Sequence, residues 1–219
     1  MWIDPINTIA LVVKGLLVGI IASAPMGPVG VLVVQRTLNK GRWYGFVTGL
    51  GAALSDIIYA LITGLGMTFV MDFVERPSTI IYLKIGGSIL LFLFGLFTFF
   101  ARPVPLHHVS HGRGTLAHNM LTGFLVTLSN PLIIFLFMAL FARFEFIDFG
   151  HRIEQVFAYL AILVGACLWW FFLSRVINKV RARFQMKNIV RVNRFIGLVV
   201  MIAAVIGLVY FYYIYIIKV

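Results

Sequence analysis

One carboxylate stands alone in a long apolar stretch. Asp56 is the fourteenth of the twenty-nine residues from Trp43 to Met71, and none of the other twenty-eight is charged. If that stretch crosses a bilayer as one helix, the acid lies near mid-depth. An ionisable group there is expensive, faces a bundle interior or a watery cavity, and marks a path for protons, ions or substrate. Gly41, Gly45 and Gly49 recur every four residues, and Gly49, Ala52 and Asp56 follow at i, i+3 and i+7. The last three therefore share one helix face. Gly45, Gly49 and Ala52 are small enough to let a neighbouring helix approach closely. Asp56 could carry a proton as its exposure alternates, or pair with a cationic group. The bland reading is a protonated acid making a structural hydrogen bond between helices.

Backbone chemistry is the second candidate. Pro25-Met26-Gly27-Pro28 lies in an uncharged run of twenty residues from Gly15 to Val34. Each proline lacks an N–H and clashes with the preceding turn, so a helix is not expected to run straight through. In hydrocarbon the freed carbonyls must find partners, so broken backbone is tolerated where protein buries it or a cavity is wet. Ser129-Asn130-Pro131 repeats the pattern about 103 residues later, at the midpoint of Asn119 to Ala142. A pair of unrelated kinks is the alternative. Trp169 and Trp170 either line a cavity or pack. His107, His108, His111 and His118 form a tract that could hold a metal, although no acid or cysteine accompanies them, and a solvated loop is the simpler reading. The sequence contains no nucleophile–base constellation, phosphate loop or dinucleotide fingerprint.

The elements that must position these residues are membrane spans. The 219 residues are 62% hydrophobic and 11% charged, with a mean hydropathy of +1.03, and a soluble domain carries about twice that charge. Six spans can be read: Thr8 to Val34, Trp43 to Met71, Ile80 to Ala101, Asn119 to Ala142, Gln155 to Ser174 and Phe195 to Ile217. The last ends in Tyr210-Phe211-Tyr212-Tyr213, an aromatic belt at an interface. The single cysteine, Cys167, excludes an intrachain disulfide. No cleavable signal peptide is expected, because the N-terminus lacks a basic region ahead of its apolar run.

Charge placement sets orientation. The loops after spans one, three and five hold twelve of the eighteen Lys and Arg, from Arg36, Lys40 and Arg42 through Arg102 and Arg113 to the run Arg175–Arg194. The other side holds the remaining six basic residues and every acid except Asp56. The bias places the odd loops in the cytoplasm and both termini outside. The net charge of +11 is thus read as contact with anionic lipid, and nucleic acid is not an expected partner. Spans one and four each open a set of three, so the second set starts from the opposite face. The expected fold is all-α and integral to the membrane, one transporter domain of two inverted three-helix repeats with helices 1 and 4 broken. Repeat one covers about 1–101, a His-rich cytoplasmic loop about 102–118, and repeat two about 119–219, with the site between the broken helices.

These residues resemble the lysine exporter (LysE/RhtB-type) family of amino-acid efflux carriers. The likeness rests on Pro25-x-Gly27-Pro28, Gln35 to Gly45, Gly49-x-Gly51 with Asp56, Gly123-Phe124-Leu125 with Asn130-Pro131, and Gly165-Ala166 with Trp169. It covers nearly the whole chain. Leu132 stands where many members carry a basic residue, and the central loop is unusually His-rich. The resemblance implies an inner-membrane carrier, not an enzyme, that exports amino acids or related small amines by proton antiport and needs no cofactor. The substrate-binding residues implied are Pro25, Met26, Gly27, Pro28, Asn130, Pro131 and Trp169, with Asp56 taking the proton or the ammonium group. A homodimer is compatible with this reading. A divalent-cation exporter using Asp56 and His107, His108 and His111 is one alternative, and a membrane scaffold or intramembrane enzyme another. Hard cations want several oxygen ligands, and no second membrane acid is present.

Overall fold

Proline and glycine set the helix boundaries in a computed structural model that describes residues 5–72, 77–101, 114–144, 146, 152–182 and 187–213. Helix α1 spans Pro5–Ser23 and α2 spans Pro28–Lys40. The residue before a proline is driven out of the helical region, so α1 ends ahead of Pro25. Pro28 then opens α2 at a position where its missing N–H is no loss. The two helices bend by 79°. Gly41 follows α2 at φ +102°, a left-handed turn position, and its N–H bonds Thr37 O at 3.0 Å. Gly41 therefore lies between helices and does not belong to the small-residue face that the four-residue spacing suggested.

Helix α3, Arg42–Asp72, runs unbroken past Asp56, and α4 covers Pro77–Phe100. Helices α5, Leu116–Leu128, and α6, Leu132–Phe144, repeat the first break with a 75° bend. The Thr115 hydroxyl caps α5 by accepting the His118 N–H at 3.2 Å, and Asn130 Oδ1 accepts the Leu132 N–H at 3.3 Å as α6 begins. Helices α7, Arg152–Lys179, and α8, Lys187–Tyr212, complete the described chain.

Among the described residues three stretches are long and apolar enough to cross a membrane alone: Arg42–Met67, Ile153–Lys179 and Asn188–Tyr210. Each bent pair reaches the required length as a unit. The expected third span falls within α4, whose apolar part, Ile85–Phe100, is shorter. Polarity is inverted relative to a soluble protein. Leu61, Leu65, Phe97, Leu121, Leu160, Leu168 and Ile206 are exposed, whereas Ser23, Thr48, Ser55, Asp56, Thr127 and Asn193 are buried. That is the surface of a multi-pass helical membrane protein.

Lipid tails are as apolar as leucine, so helices in a bilayer associate through close packing and hydrogen bonds. Here α1 packs on α7, α3 on α5 and α4 on α8, while α3 and α7 cross at the centre. Two seams share one design. A Cβ on Gly19 would overlap the Ile162 carbonyl, and one on Gly165 the Leu16 carbonyl. Likewise a Cβ on Gly51 would overlap the Met120 carbonyl, and one on Gly123 the Thr48 carbonyl. Each seam is thus a backbone-to-backbone contact that only glycine permits.

Candidate functional site

The two breaks face one cavity of about 230 Å³. Its wall includes Ser23, Pro25, Met26, Gly27 and Pro28 from the first break, Thr127 and Asn130 from the second, and Asp56, Trp170 and Asn193. Apolar side chains, Phe94, Phe97, Ile133 and Leu136 among them, fill most of the remainder. Asp56 is only 5% exposed. Its Oδ2 accepts the Ser23 hydroxyl at 3.2 Å, which ties the middle of α3 to the end of α1.

The first break is fixed from across the molecule. The Met26 N–H donates to Asn193 Oδ1 at 3.0 Å, and Asn193 Nδ2 donates to Met26 O at 3.2 Å. One asparagine amide thereby satisfies both polar groups of a residue that no helix can serve. At the start of α2, Gly27 occupies the cap position without a side-chain hydrogen bond. Helix N-termini carry partial positive charge and orphan N–H groups, so that end can receive an anionic group.

Asp56, Pro25, Met26, Gly27, Pro28 and Asn130, all expected at the site, line the cavity together. Pro131 and Trp169 do not appear on its wall, where Trp170 takes the tryptophan position. Successive residues on a helix point about 100° apart, so only one of the pair can face inward. Trp170 packs its ring against Gly49, where any Cβ would collide with it, and Trp169 packs beside the same cluster. Gly45 lies against Thr37 and Ser174, and Ala52 is buried on the cavity wall. Asn130 spends its carbonyl oxygen on the α6 cap, leaving its Nδ2 for other partners.

Two functional residues escape the sequence reading. Asn193 precedes the expected sixth span and sits inside α8. Arg36, counted as a loop charge, is on α2 and only 5% exposed. Its Nη1 donates to Thr48 Oγ1 at 2.9 Å and to Asn119 O at 2.8 Å. Arg191 and Arg194 likewise lie on α8, because that helix extends beyond its apolar run. His107, His108 and His111 lie outside the described residues. Among the described residues no three His, Cys, Asp or Glu are grouped to hold a metal ion.

A cavity lined by an acid at the junction of two bent helix pairs fits a membrane transporter. The model of the LysE type translocator family matches residues 20–210, and the chain belongs to that family. It is 26% identical over 159 residues to a Bacillus subtilis (strain 168) protein named "Putative amino acid efflux protein YcgF", covering 71% of this chain and 75% of that one. No solved structure gives a significant match.

Proposed function

We propose that this chain is a secondary carrier of the cytoplasmic membrane that exports amino acids or related small amines, driven by proton antiport with alternating access. The observation that carries the reading is the shared cavity. Two helix breaks from different parts of the chain and the Asp56 carboxyl meet in one cavity of about 230 Å³. That lies below the roughly 300–1,000 Å³ of pockets for drug-sized ligands, on the scale of a small amino acid. Side-chain donors on the wall, Asn130 Nδ2 among them, suit the substrate carboxylate, the start of α2 adds positive potential nearby, and Asp56 serves the ammonium group or the coupling proton.

Alternating access is read from two inverted repeats, α1–α4 and α5–α8, rocking about the cavity. Their support is the matched glycine seams, in which α1 meets α7 as α5 meets α3. The bearing experiment is efflux of an amino-acid panel from preloaded proteoliposomes, with and without a pH gradient. Efflux of at least one amino acid that a pH gradient accelerates is expected. A wild-type protein that moves none of the panel under either condition overturns the reading.

A further inference from the structure

Two wall residues carry polar atoms with nothing to bond. Thr127 Oγ1 and Trp170 Nε1 are buried without a hydrogen-bond partner, and both residues line the cavity. A buried donor in that state has lost its water and gained nothing, so each such group asks for an explanation.

Their places in the fold supply one. Leu16 and Gly19 on α1 form their seam as Met120 and Gly123 do on α5, and four residues past each glycine stand Ser23 and Thr127. Thr48 and Gly51 on α3 match Ile162 and Gly165 on α7, and five residues past each glycine stand Asp56 and Trp170. The bonded pair Ser23–Asp56 therefore has Thr127 and Trp170 as its counterpart. One half of the molecule presents a carboxyl group, and the other presents two donors. Along α3 the two donors flank Asp56: Trp170 packs on Gly49, seven residues before it, and Tyr59, three residues after it, donates to the Leu128 carbonyl beside Thr127.

The remaining wall is mostly apolar, and among the described residues Asp56 is the one acid that lines it. Asp72 lies sixteen residues beyond Asp56 on α3, and Glu154 sixteen residues before Trp170 on α7, each roughly 24 Å away by helical rise. The site can match one cationic group.

We propose that Thr127 and Trp170 hold the carboxylate of a zwitterionic amino acid whose ammonium group lies toward Asp56 and Ser23, and that its side chain is uncharged and apolar. This rests on the amino-acid export reading and names the substrate class of that site. A neutral hydroxyl and an indole N–H are good donors to a carboxylate, and hydrogen bonds to an ionised acceptor are the strong ones.

The test compares leucine with 3-methylbutylamine, which is leucine without its carboxylate, in reconstituted wild type, Thr127→Val and Trp170→Phe. Both substitutions remove the donor and keep most of the shape, and melting in detergent verifies folding of each sample. The KM for leucine is expected to rise about tenfold in either variant, the loss of one hydrogen bond to a charged group. The inhibition constant of the amine should stay within about twofold, and lysine should compete poorly with leucine. An amine that fails to bind wild type, where leucine binds, also supports the carboxylate contact. Equal weakening of leucine and the amine, or no change in either variant, overturns the assignment and leaves amino-acid export standing. Lysine outcompeting leucine overturns the side-chain class. A wild-type protein that moves leucine, lysine and every other amino acid equally poorly overturns this proposal and the export reading together.

Discussion

Arg36 and Asp56 show how this protein handles charge inside an apolar body. The guanidinium meets neutral oxygen atoms, Thr48 Oγ1 and Asn119 O, and the acid meets a serine hydroxyl. Neither is neutralised by an opposite charge among the described residues, so the hydrogen bonds must do that work. For Asp56 the decisive substitution is Asn, which has the same shape and cannot ionise. Asp56→Asn should insert and fold, because no charge then needs burying. It should lose pH-driven efflux, and exchange of substrate for substrate should fall at least tenfold as the charge-assisted bond to the ammonium group goes. Surviving exchange on the same sample would assign Asp56 to the proton alone, and full pH-driven efflux would remove it from the mechanism. Asp56 was legible because one acid in twenty-nine residues is conspicuous. Arg36 was not, since a basic residue beyond an apolar run reads as a loop charge unless the helix is known to continue. The choice between Trp169 and Trp170 turned on helix phase, which two adjacent tryptophans leave open.

At the scale of elements, the breaks were legible because proline forbids what a continuous helix needs, and they fall at 24–27 and 129–131. What holds them was hidden. Asn193 reaches from α8 to both polar groups of Met26, 167 residues away in sequence, and nothing beside it in the chain marks it. Asn193→Ala should leave a buried N–H and carbonyl without partners at about 1–3 kcal/mol each. The variant should melt several degrees lower in detergent, and its leucine KM should rise as the start of α2 loosens. An unchanged melting temperature would mean that the amide pair holds nothing. Asn193→Gln is the companion measurement, since it keeps the amide but displaces it by one methylene and should recover little.

For the whole molecule, hydropathy displayed the apolar runs because that signal is local. It could not show which runs touch, and it ended the fifth span early and opened the sixth late, since Arg175 and Lys179 continue α7 and Lys187 to Arg194 open α8. Orientation is an expectation from charge asymmetry, to which Arg36, Arg191 and Arg194 contribute from helices and not from loops. In a Cys167→Ala background, cysteines at Glu75 and Asp148 should react with an impermeant label from outside intact cells. Cysteines at Lys40 and Lys187 should not. The reverse pattern would turn the molecule over in the membrane.

The glycine seams carry a consequence for how sequence drift is filtered. At Gly19, Gly51, Gly123 and Gly165 the contact excludes any side chain, whereas the carbonyls they meet belong to Leu16, Thr48, Met120 and Ile162, and of these only Thr48 also brings its side chain, Cγ2, against the glycine. Three residues apart on each helix, one position is frozen and its neighbour, Thr48 apart, is free as far as the seam is concerned. A library randomised at all eight should return glycine alone at four of them and a broad apolar mixture at the leucine, methionine and isoleucine. Thr48 should resist as well, because its hydroxyl also receives Arg36. Side chains beside a seam can in this way change while its backbone geometry stays fixed.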